Sequence, residues 1–298
     1  MEHSDHRKGL FLTFTAVLIL SPDALLVRLI ECDLWSLLFW RCLLTGGVTS
    51  LFLVVRYRWR FWHSFVATGR TGLLSALVLC CGSLLFVSSL KQTAAANTLI
   101  ILAATPVFSS LFSYLFLREK IALRTWLAIL ICFGGILLLF SGSLKSGLLL
   151  GDLLALGATL MWAINLVILR RGRAVNMIPA NVLGNLLVIP IVLLLGAQPL
   201  TVSTVDAGYL LLLGGLVLPV SFAMITLGPR YLPAPEVSLI LLTETILGPI
   251  WVWLAIGEVP QATTLLAGLL IVGTLLLHTL LSLRKAPEKT VPNTTLRA

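Results

Sequence analysis

The stretch "TPVFSSLFSYLFLREKIALRTWLAILICFGGILLL", residues 105–139, decides the fold because two long apolar runs are joined by a short basic turn. With the residues just before it, the segment 99–138 realigns 139 positions later with "SLILLTETILGPIWVWLAIGEVPQATTLLAGLLIVGTLLL", residues 238–277. In that alignment Glu119 meets Glu258 and Gly134 meets Gly273. Similarity at a fixed offset predicts a duplicated structural unit.

A second pair of segments extends the repeat to the start of each half. "GLFLTFTAVLILSPDALLVR", residues 9–28, matches "GDLLALGATLMWAINLVILR", residues 151–170. Asp23 then lies opposite Asn165. The duplication therefore covers nearly the whole chain.

The composition predicts an integral membrane protein. Apolar residues make up 58% of the chain and charged residues 11%, whereas soluble domains are about half apolar and a quarter charged. The formal charge of +9 falls in short clusters between apolar runs, which is typical of loops beside anionic lipid. We therefore expect membrane lipids as partners and no nucleic acid. No Cys/His spacing matches a zinc site, and neither a metal nor a cofactor is predicted.

Ten apolar runs are each about 20 residues long, as a helix that crosses a bilayer requires. They are continuous rather than alternating, which favours helices over barrel strands. The predicted spans lie near residues 10–30, 34–55, 71–90, 94–117, 122–141, 151–169, 180–197, 208–227, 236–256 and 262–282.

The basic residues are concentrated in every second loop between the spans. The basic residues on one side are Arg7, Lys8, Arg56, Arg58, Arg60, Arg70, Arg118, Lys120, Arg124, Arg170, Arg171, Arg173, Arg230, Arg284, Lys285, Lys289 and Arg297. The other side receives only Lys91 and Lys145. The positive-inside rule then predicts that both termini are cytoplasmic.

These spans divide the chain into four parts. Residues 1–9 form a cytoplasmic N-terminal tail and residues 283–298 a disordered cytoplasmic tail. The first repeat covers residues 10–141 and the second covers residues 151–282. Each repeat holds five spans, so the second is inverted in the membrane relative to the first. Inverted repeats are typical of transporters with a site near the midplane, although duplication without transport is the alternative.

The chain resembles the EamA-type branch of the drug/metabolite transporter superfamily. The resemblance is carried by residues 105–139, by Gly257-Glu258 in the second half, and by "FWRCLLTGG", residues 39–47. It implies two five-span EamA repeats and export of amino acids, drugs or other small metabolites. Three short segments near the expected cavity depart from the family pattern: Arg118-Glu119 replaces Gly-Glu, Glu244-Thr245 replaces Glu-Pro, and Ser21-Pro22-Asp23 replaces a Trp-Gly-Ser-Asn-like stretch. The identity of the substrate therefore does not follow from the resemblance.

Two charges of opposite sign lie inside the first two spans. Asp23 and Arg41 are each nine positions from Cys32, at the tip of the hairpin that joins these spans. Antiparallel neighbours place the two side chains at one depth, so we predict an ion pair. The pair either fixes the two spans or releases Arg41 to an anionic substrate group. Arg28, nearer the outer interface, is expected to snorkel there.

Glu244 is the other intramembrane charge, about 12 Å into span 9. A carboxylate near the meeting point of two repeats predicts a site for a proton or a cationic substrate. The alternative is a protonated acid that is hydrogen-bonded to a neighbouring span.

Weaker candidates line the same predicted cavity. Trp40, Trp162 and Trp251 predict an aromatic wall for apolar or cationic substrates, with packing or interface anchorage as the alternative. Asn97 and Asn165 are predicted hydrogen-bonding residues of the cavity, or else simple helix–helix contacts.

Catalysis is not predicted. No His-Glu-x-x-His motif and no phosphate-binding loop with Lys-Ser/Thr occurs in the sequence. The sequence predicts a secondary active transporter of the cell inner (plasma) membrane, a monomer or homodimer. It would export an amino acid or drug-like compound by alternating access, driven either by the proton gradient or by the substrate's own gradient. A lipid-linked-sugar flippase or an uptake carrier of the same fold is the alternative.

Overall fold

The computed structural model describes residues 2–58, 61–117, 123–171, 175–227 and 234–284. Within these ranges the chain forms α-helices and no strand, so the predicted all-helical architecture is confirmed there. The helices are α1 Glu2–Leu20, α2 Asp23–Leu29, α3 Leu34–Tyr57, α4 Phe61–Gln92, α5 Ala95–Ala103, α6 Thr105–Leu117, α7 Leu123–Ser146, α8 Leu149–Arg171, α9 Ile178–Leu194, α10 Thr204–Leu212, α11 Leu218–Leu227, α12 Ala234–Ile256 and α13 Ala262–Arg284.

Seven helical segments of the described chain are long and apolar enough to cross a membrane: Gly9–Leu29, Leu34–Tyr57, Phe61–Gln92, Ala95–Phe116, Thr125–Leu144, Leu149–Leu169 and Thr204–Ile225. Three shorter apolar helices complete the set: Ile178–Leu194, Ile240–Ile256 and Ala262–His278. Every predicted span coincides with one of these segments. The count of ten crossings stays a prediction.

Several residues of the charge argument lie outside the described ranges: Arg60, Arg118, Glu119, Lys120, Arg173, Arg230, Lys285, Lys289 and Arg297. Helix α4 begins ten residues before the predicted span 71–90, but its backbone leaves the helical region at Gly69 (φ 55°, ψ −152°). Glycine adopts a positive φ without steric penalty. The predicted span therefore matches the part of α4 that follows this break.

The two halves pack against each other in a reciprocal pattern. Helix α1 packs on α11, and its counterpart α8 packs on α4. Helix α12 packs on α1 and α2, and α5 and α6 pack on α8. Helices α3 and α9 pack together, as do α7 and α13. Corresponding helices of the two halves thus exchange partners, and the inverted orientation of the repeats stays a prediction.

Two of the long helical segments are interrupted at a proline. Pro22 lacks an N–H, so it cannot donate to the Leu18 carbonyl as the helix requires. The Ser21 hydroxyl donates to that carbonyl instead, at 2.9 Å. Thr105, before Pro106, does the same for Leu102 at 2.6 Å. The hydroxyl thus satisfies the carbonyl that the proline leaves unpaired, and the chain can bend there.

A third interruption separates α10 from α11. Residues Leu213–Val217 form one π-helical turn. Such turns often occur at functional sites. This one packs against α3 beside Arg41, since a Cβ on Gly214 would lie 3.1 Å from the Arg41 carbonyl oxygen.

Candidate functional site

The centre of the bundle holds an ion pair between α2 and α3. Arg41 Nη2 lies 2.8 Å from Asp23 Oδ2 and 3.0 Å from Asp23 Oδ1. Asp23 is 4% exposed and Arg41 is 6% exposed. The predicted pairing is confirmed, and its cause is the short hairpin that sets both residues at one depth.

The surroundings of Arg41 leave part of its guanidinium free. Its Cζ lies 5.6 Å from the centroid of the Phe86 ring, a cation–π arrangement. Its backbone carbonyl accepts a hydrogen bond from the Thr45 hydroxyl at 2.7 Å. Nε of Arg41 is buried and hydrogen-bonds no described residue. A buried donor without an acceptor is costly, so this nitrogen is available to a ligand.

Glu244 of α12 faces this pair. The opposite face of α12 carries the exposed side chains of Ile246 and Ile250. Glu244 interacts electrostatically with both Asp23 and Arg41. Within the described ranges its carboxylate forms no hydrogen bond or ion pair, and it keeps partial exposure. We call Asp23, Arg41, Phe86 and Glu244 the central cluster.

One turn further along α12, Gly248 lies against the α1–α2 break. A Cβ there would lie 2.4 Å from Leu99 Cδ1 and 3.9 Å from the Ser21 carbonyl oxygen. Trp251, which is 43% exposed, donates from Nε1 to the Ser21 hydroxyl at 3.0 Å. The close approach at Gly248 is what brings Glu244 to the Pro22 break.

Two further predicted site residues differ in their placement. Trp162 borders the central cluster, because its ring centroid lies 5.3 Å from that of Phe86. Trp40 does not join the cluster with its polar end. Its Nε1 donates to the Pro199 carbonyl at 2.9 Å, so the indole ties α3 to the loop after α9.

The two predicted asparagines lie in separate networks. Asn165 of α8 accepts a hydrogen bond from the Ser75 hydroxyl of α4 at 2.6 Å, with both residues buried. Asn97 lies in a different network, with four other buried polar residues. We call this set, Thr93, Asn97, Ser143, Asp152 and Thr264, the outer oxygen cluster.

Asp152 is the member that sequence reasoning missed. An acid at the start of a span is ordinarily at the membrane surface, yet Asp152 is 0% exposed. Its Oδ1 accepts from the Thr93 hydroxyl at 2.6 Å and from Asn97 Nδ2 at 3.1 Å. The available signal was the presence of polar residues at the adjoining ends of several spans.

Arg28 lies beside this cluster. It was expected to snorkel to the interface, but the structure gives it partners in both halves. Its Nη2 lies 3.3 Å from Glu258 Oε1 and also donates to the Thr93 carbonyl. The same Glu258 oxygen accepts from the Ala95 N–H at 2.8 Å. Arg28 therefore connects α2 with the turn before α5 and with the loop before α13.

The remaining loops at this end are joined in the same way. Backbone N–H of Glu31 donates to Asp206 Oδ1 at 2.9 Å, and Lys91 Nζ donates to the Ile30 carbonyl. Backbone N–H of Gln198 donates to the Ser36 hydroxyl at 2.8 Å. We call these contacts and those of Arg28 the outer seal, after the predicted topology.

A small open pocket lies toward the other end of α3. Its lining residues come from α3, α9 and α11: Thr45, Thr49, Ile178, Asn181, Asn185, Pro219, Phe222 and Ala223. Thr45 is one turn from Arg41 and bonds to its carbonyl. The pocket therefore lies next to the central cluster, on the part of α3 that is remote from the outer seal.

Comparison with known proteins agrees with this architecture. The model of the EamA-like transporter family matches residues 7–141 and again residues 149–280. No curated protein matches the chain. A solved structure described only as "Crystal structure of protein" superposes with a TM-score of 0.67 at 18% identity. The alignment covers 93% of this chain and 99% of the other, and it establishes the fold alone. With apolar helices suited to a multi-pass membrane protein and two matches to the model, the chain belongs to the EamA-like transporter family.

Proposed function

We propose that this protein is a secondary active transporter of the cell inner (plasma) membrane that exports a small organic metabolite by alternating access. The observation that carries the proposal is the central cluster, a group of charges at a break in the first span where the two halves meet. Charges in the membrane interior are costly, and they are usually retained for binding or transport.

The charges of the cluster favour a site for a cationic group. Asp23 and Arg41 neutralise each other, whereas Glu244 adds a second carboxylate with no direct ion pair among the described residues. An isolated charge in this environment is unfavourable, so Glu244 binds either a proton or a cation. Competition of proton and substrate for one carboxylate would couple export to the proton gradient.

Arg41 adds a contact of the opposite sign. Its unpaired Nε suits a carboxylate group, because charge-assisted hydrogen bonds to guanidinium are strong. A zwitterion can then place its ammonium group at Glu244 and its carboxylate at Arg41. Amino acids and drug-like amines are the compounds that fit this arrangement.

The contacts at the two ends support alternating access. The outer seal joins the halves, since Arg28 pairs with Glu258 and the Glu31 amide with Asp206. The pocket beside Thr45 lies toward the opposite end of α3. In alternating access the two repeats would exchange conformations, so that the sealed end opens while the other end closes. The central cluster would then be exposed to each side of the membrane in turn.

The test is a thermal-shift screen of the purified protein against amino acids, amines, carboxylates and nucleosides. A ligand at a hundred times its dissociation constant stabilises by about 2.7 kcal/mol. We expect an amine or amino acid to stabilise the wild type and Glu31→Gln, which changes an exposed carboxylate. The same compound should have no effect on Glu244→Gln.

Transport in proteoliposomes then tests the coupling. The compound found in the screen should move against its gradient when a pH gradient is imposed, and Glu244→Gln should abolish this response. Unchanged pH dependence in Glu244→Gln would contradict the role of Glu244. If no compound in the screen stabilises the protein, the result would favour a flippase with a lipid-linked substrate.

A further inference from the structure

We propose that Trp162 and Asn165 of α8 bind the carboxylate of the exported compound and so select a zwitterion over a simple amine. This selection rests on the proposed function and deepens it, because Glu244 by itself would bind the ammonium group of either compound. Both residues carry N–H groups that no residue of the described chain accepts, and both lie beside the central cluster.

The first observation is the set of unpaired donors. Nε1 of Trp162 forms no hydrogen bond with any described residue. Asn165 uses one side of its amide, since Oδ1 accepts from the Ser75 hydroxyl at 2.6 Å, but Nδ2 donates to no residue of the described ranges. Neither nitrogen is fully enclosed, whereas the unpaired Nε of Arg41 is. Polar groups inside a protein are ordinarily hydrogen-bonded, so three unpaired donors indicate a ligand that brings acceptors.

The second observation is the direction of the α8 face that carries Trp162. Ala155 and Ala158, seven and four residues earlier, lie on the same face, and both are 0% exposed. Leu166, four residues later on that face, is 43% exposed. A face that is enclosed at one end and exposed at the other borders a space inside the bundle. Trp162 is therefore accessible from that space rather than from lipid.

This space opens at the end remote from the outer seal. Helix α8 begins next to the outer oxygen cluster, to which Asp152 belongs, and runs away from it toward Leu166. Asn165 lies about one turn closer to the open end than Trp162 does. A compound that enters there meets Asn165 first and Trp162 second.

The Phe86 ring connects these donors to the ion pair. The ring centroid of Trp162 lies 5.3 Å from that of Phe86, and Cζ of Arg41 lies 5.6 Å from the same centroid. The three donors thus follow one another from the open end to the central cluster. A carboxylate has two oxygens that accept several hydrogen bonds, so it keeps partners throughout this path.

Gly82 of α4 gives the indole its place. A Cβ on Gly82 would lie 2.8 Å from Nε1 and 2.9 Å from Cδ1 of Trp162. A larger residue would therefore displace the ring from α4. Gly82 is a positioning residue for the Trp162 donor.

The internal repeat has opposite chemistry at the equivalent positions of the two halves. Asn165 corresponds to Asp23 in the alignment of the halves. Asp23 and Glu244 present carboxylates, which accept from an ammonium group. Asn165 and Trp162 present neutral N–H groups, which donate to a carboxylate. Separate acceptors and donors match the two charged groups of a zwitterion.

A simple amine would leave the donors without partners. It would neutralise Glu244, but it offers no acceptor to Trp162, Asn165 or Arg41. A site built to hydrogen-bond a group of the substrate rejects the analogue that lacks this group. One hydrogen bond to a charged group corresponds to about tenfold or more in affinity.

The experiment compares leucine, phenylalanine and lysine with the amines that remain when their carboxylates are removed. Dissociation constants come from thermal-shift titrations of the purified full-length protein. We expect the wild type to bind at least one of these amino acids about tenfold or more tightly than its amine. Trp162→Phe keeps the aromatic contact with Phe86 and removes the N–H. It should weaken binding of that amino acid about tenfold and leave binding of the amine unchanged.

A second variant and a matched control complete the set. Asn165→Asp keeps the acceptor for Ser75 and places negative charge where Nδ2 lies, so it should reverse the preference toward the amine. Trp253→Phe, at a side chain that is 52% exposed, should keep the wild-type ratio. The readout is the ratio of the two dissociation constants, because a general loss of folding does not change it.

Three results would overturn carboxylate selection: equal affinity of the wild type for an amino acid and its amine, an unchanged ratio in both α8 variants, or an equal loss of both compounds in Trp162→Phe. In each case a bound amine would still support the proposed function. If none of the six compounds binds the wild type, the selection is overturned, and the full screen judges the proposed function separately. If Trp162→Phe does not fold, the ratio in Asn165→Asp decides.

Discussion

Arg41 contacts both carboxylate oxygens of Asp23 with one nitrogen, at 2.8 and 3.0 Å, and Glu244 lies within electrostatic range of the pair. Three ionisable groups thus share one buried site with a net formal charge of minus one. A change in the charge of one group alters the electrostatic energy of the other two. The site is consequently sensitive to protonation and to ligands of either sign.

Removal of one partner of the pair should destabilise the protein strongly. We expect Arg41→Met or Asp23→Leu alone to cost about 3–5 kcal/mol, because the remaining charge is buried without compensation. The double variant should recover most of that stability. Thermal unfolding in detergent measures the effect, and Arg7→Met, at an exposed position, is the control. We expect the double variant to stay inactive in transport, and recovery of transport would assign the pair a purely structural role.

Adjacent glycines of the π-helical turn provide a matched pair of variants. A Cβ on Gly214 would lie 2.9 Å from Leu44 Cβ, whereas a Cβ on Gly215 meets nothing within 4 Å. Gly214→Ala should destabilise the protein by about 1–3 kcal/mol through overpacking. Gly215→Ala should leave stability unchanged or slightly raised, since alanine favours helix. Equal thermal shifts for the two variants would contradict the close approach of this turn to α3.

Cys32, in the hairpin between α2 and α3, should react slowly with alkylating reagents. Burial, with a smaller contribution from the negative charges of Asp206 and Asp33, raises the pKa of its thiol to about 11. The thiolate is the nucleophile, so about one thiol in a thousand is reactive at pH 8, and the rate should rise tenfold per pH unit toward pH 11. Glu31→Cys in a Cys32→Ser background is the exposed control. A Cys32 rate that levels off below pH 9 would contradict the burial.

The ion pair between Arg28 and Glu258 should hold the outer end closed while adding little to stability. The two side chains are 20% and 26% exposed, and ion pairs of this kind contribute about 0–1 kcal/mol. Glu258→Gln and Arg28→Gln should therefore leave the unfolding midpoint nearly unchanged. Both should speed alkylation of Cys32, because the hairpin opens more often, and Glu31→Gln should not. No change in alkylation would show that the other contacts of the outer seal suffice.

The local sequence was sufficient to predict a contact when both residues lie within one hairpin. The pairing of Asp23 with Arg41 followed from equal distances to the hairpin tip. The helical spans followed from continuous apolar runs, and every predicted span coincides with an apolar helix. These properties depend on short-range geometry and on the period of the helix, both of which the order of residues specifies directly.

Contacts between distant segments could not be predicted in this way. Asp152 and Arg28 both resemble surface charges in the sequence, yet Asp152 is fully buried and Arg28 connects three segments. The direction of Trp40, toward Pro199 rather than the central cluster, likewise depends on a loop more than a hundred residues away. Such contacts arise only when helices from both halves meet.

The sequence by itself therefore determined the membrane class, the duplication and the Asp23–Arg41 pair, since each reflects composition or local spacing. Only the tertiary structure placed Glu244 beside that pair, enclosed Asp152 among four neutral polar side chains and joined the loops into the outer seal. The physical reason is that burial and charge compensation depend on which distant surfaces pack together. Which surfaces pack together depends in turn on close contacts between helices, such as those at Gly151, Gly214 and Gly248. No single segment of the sequence encodes such a contact alone.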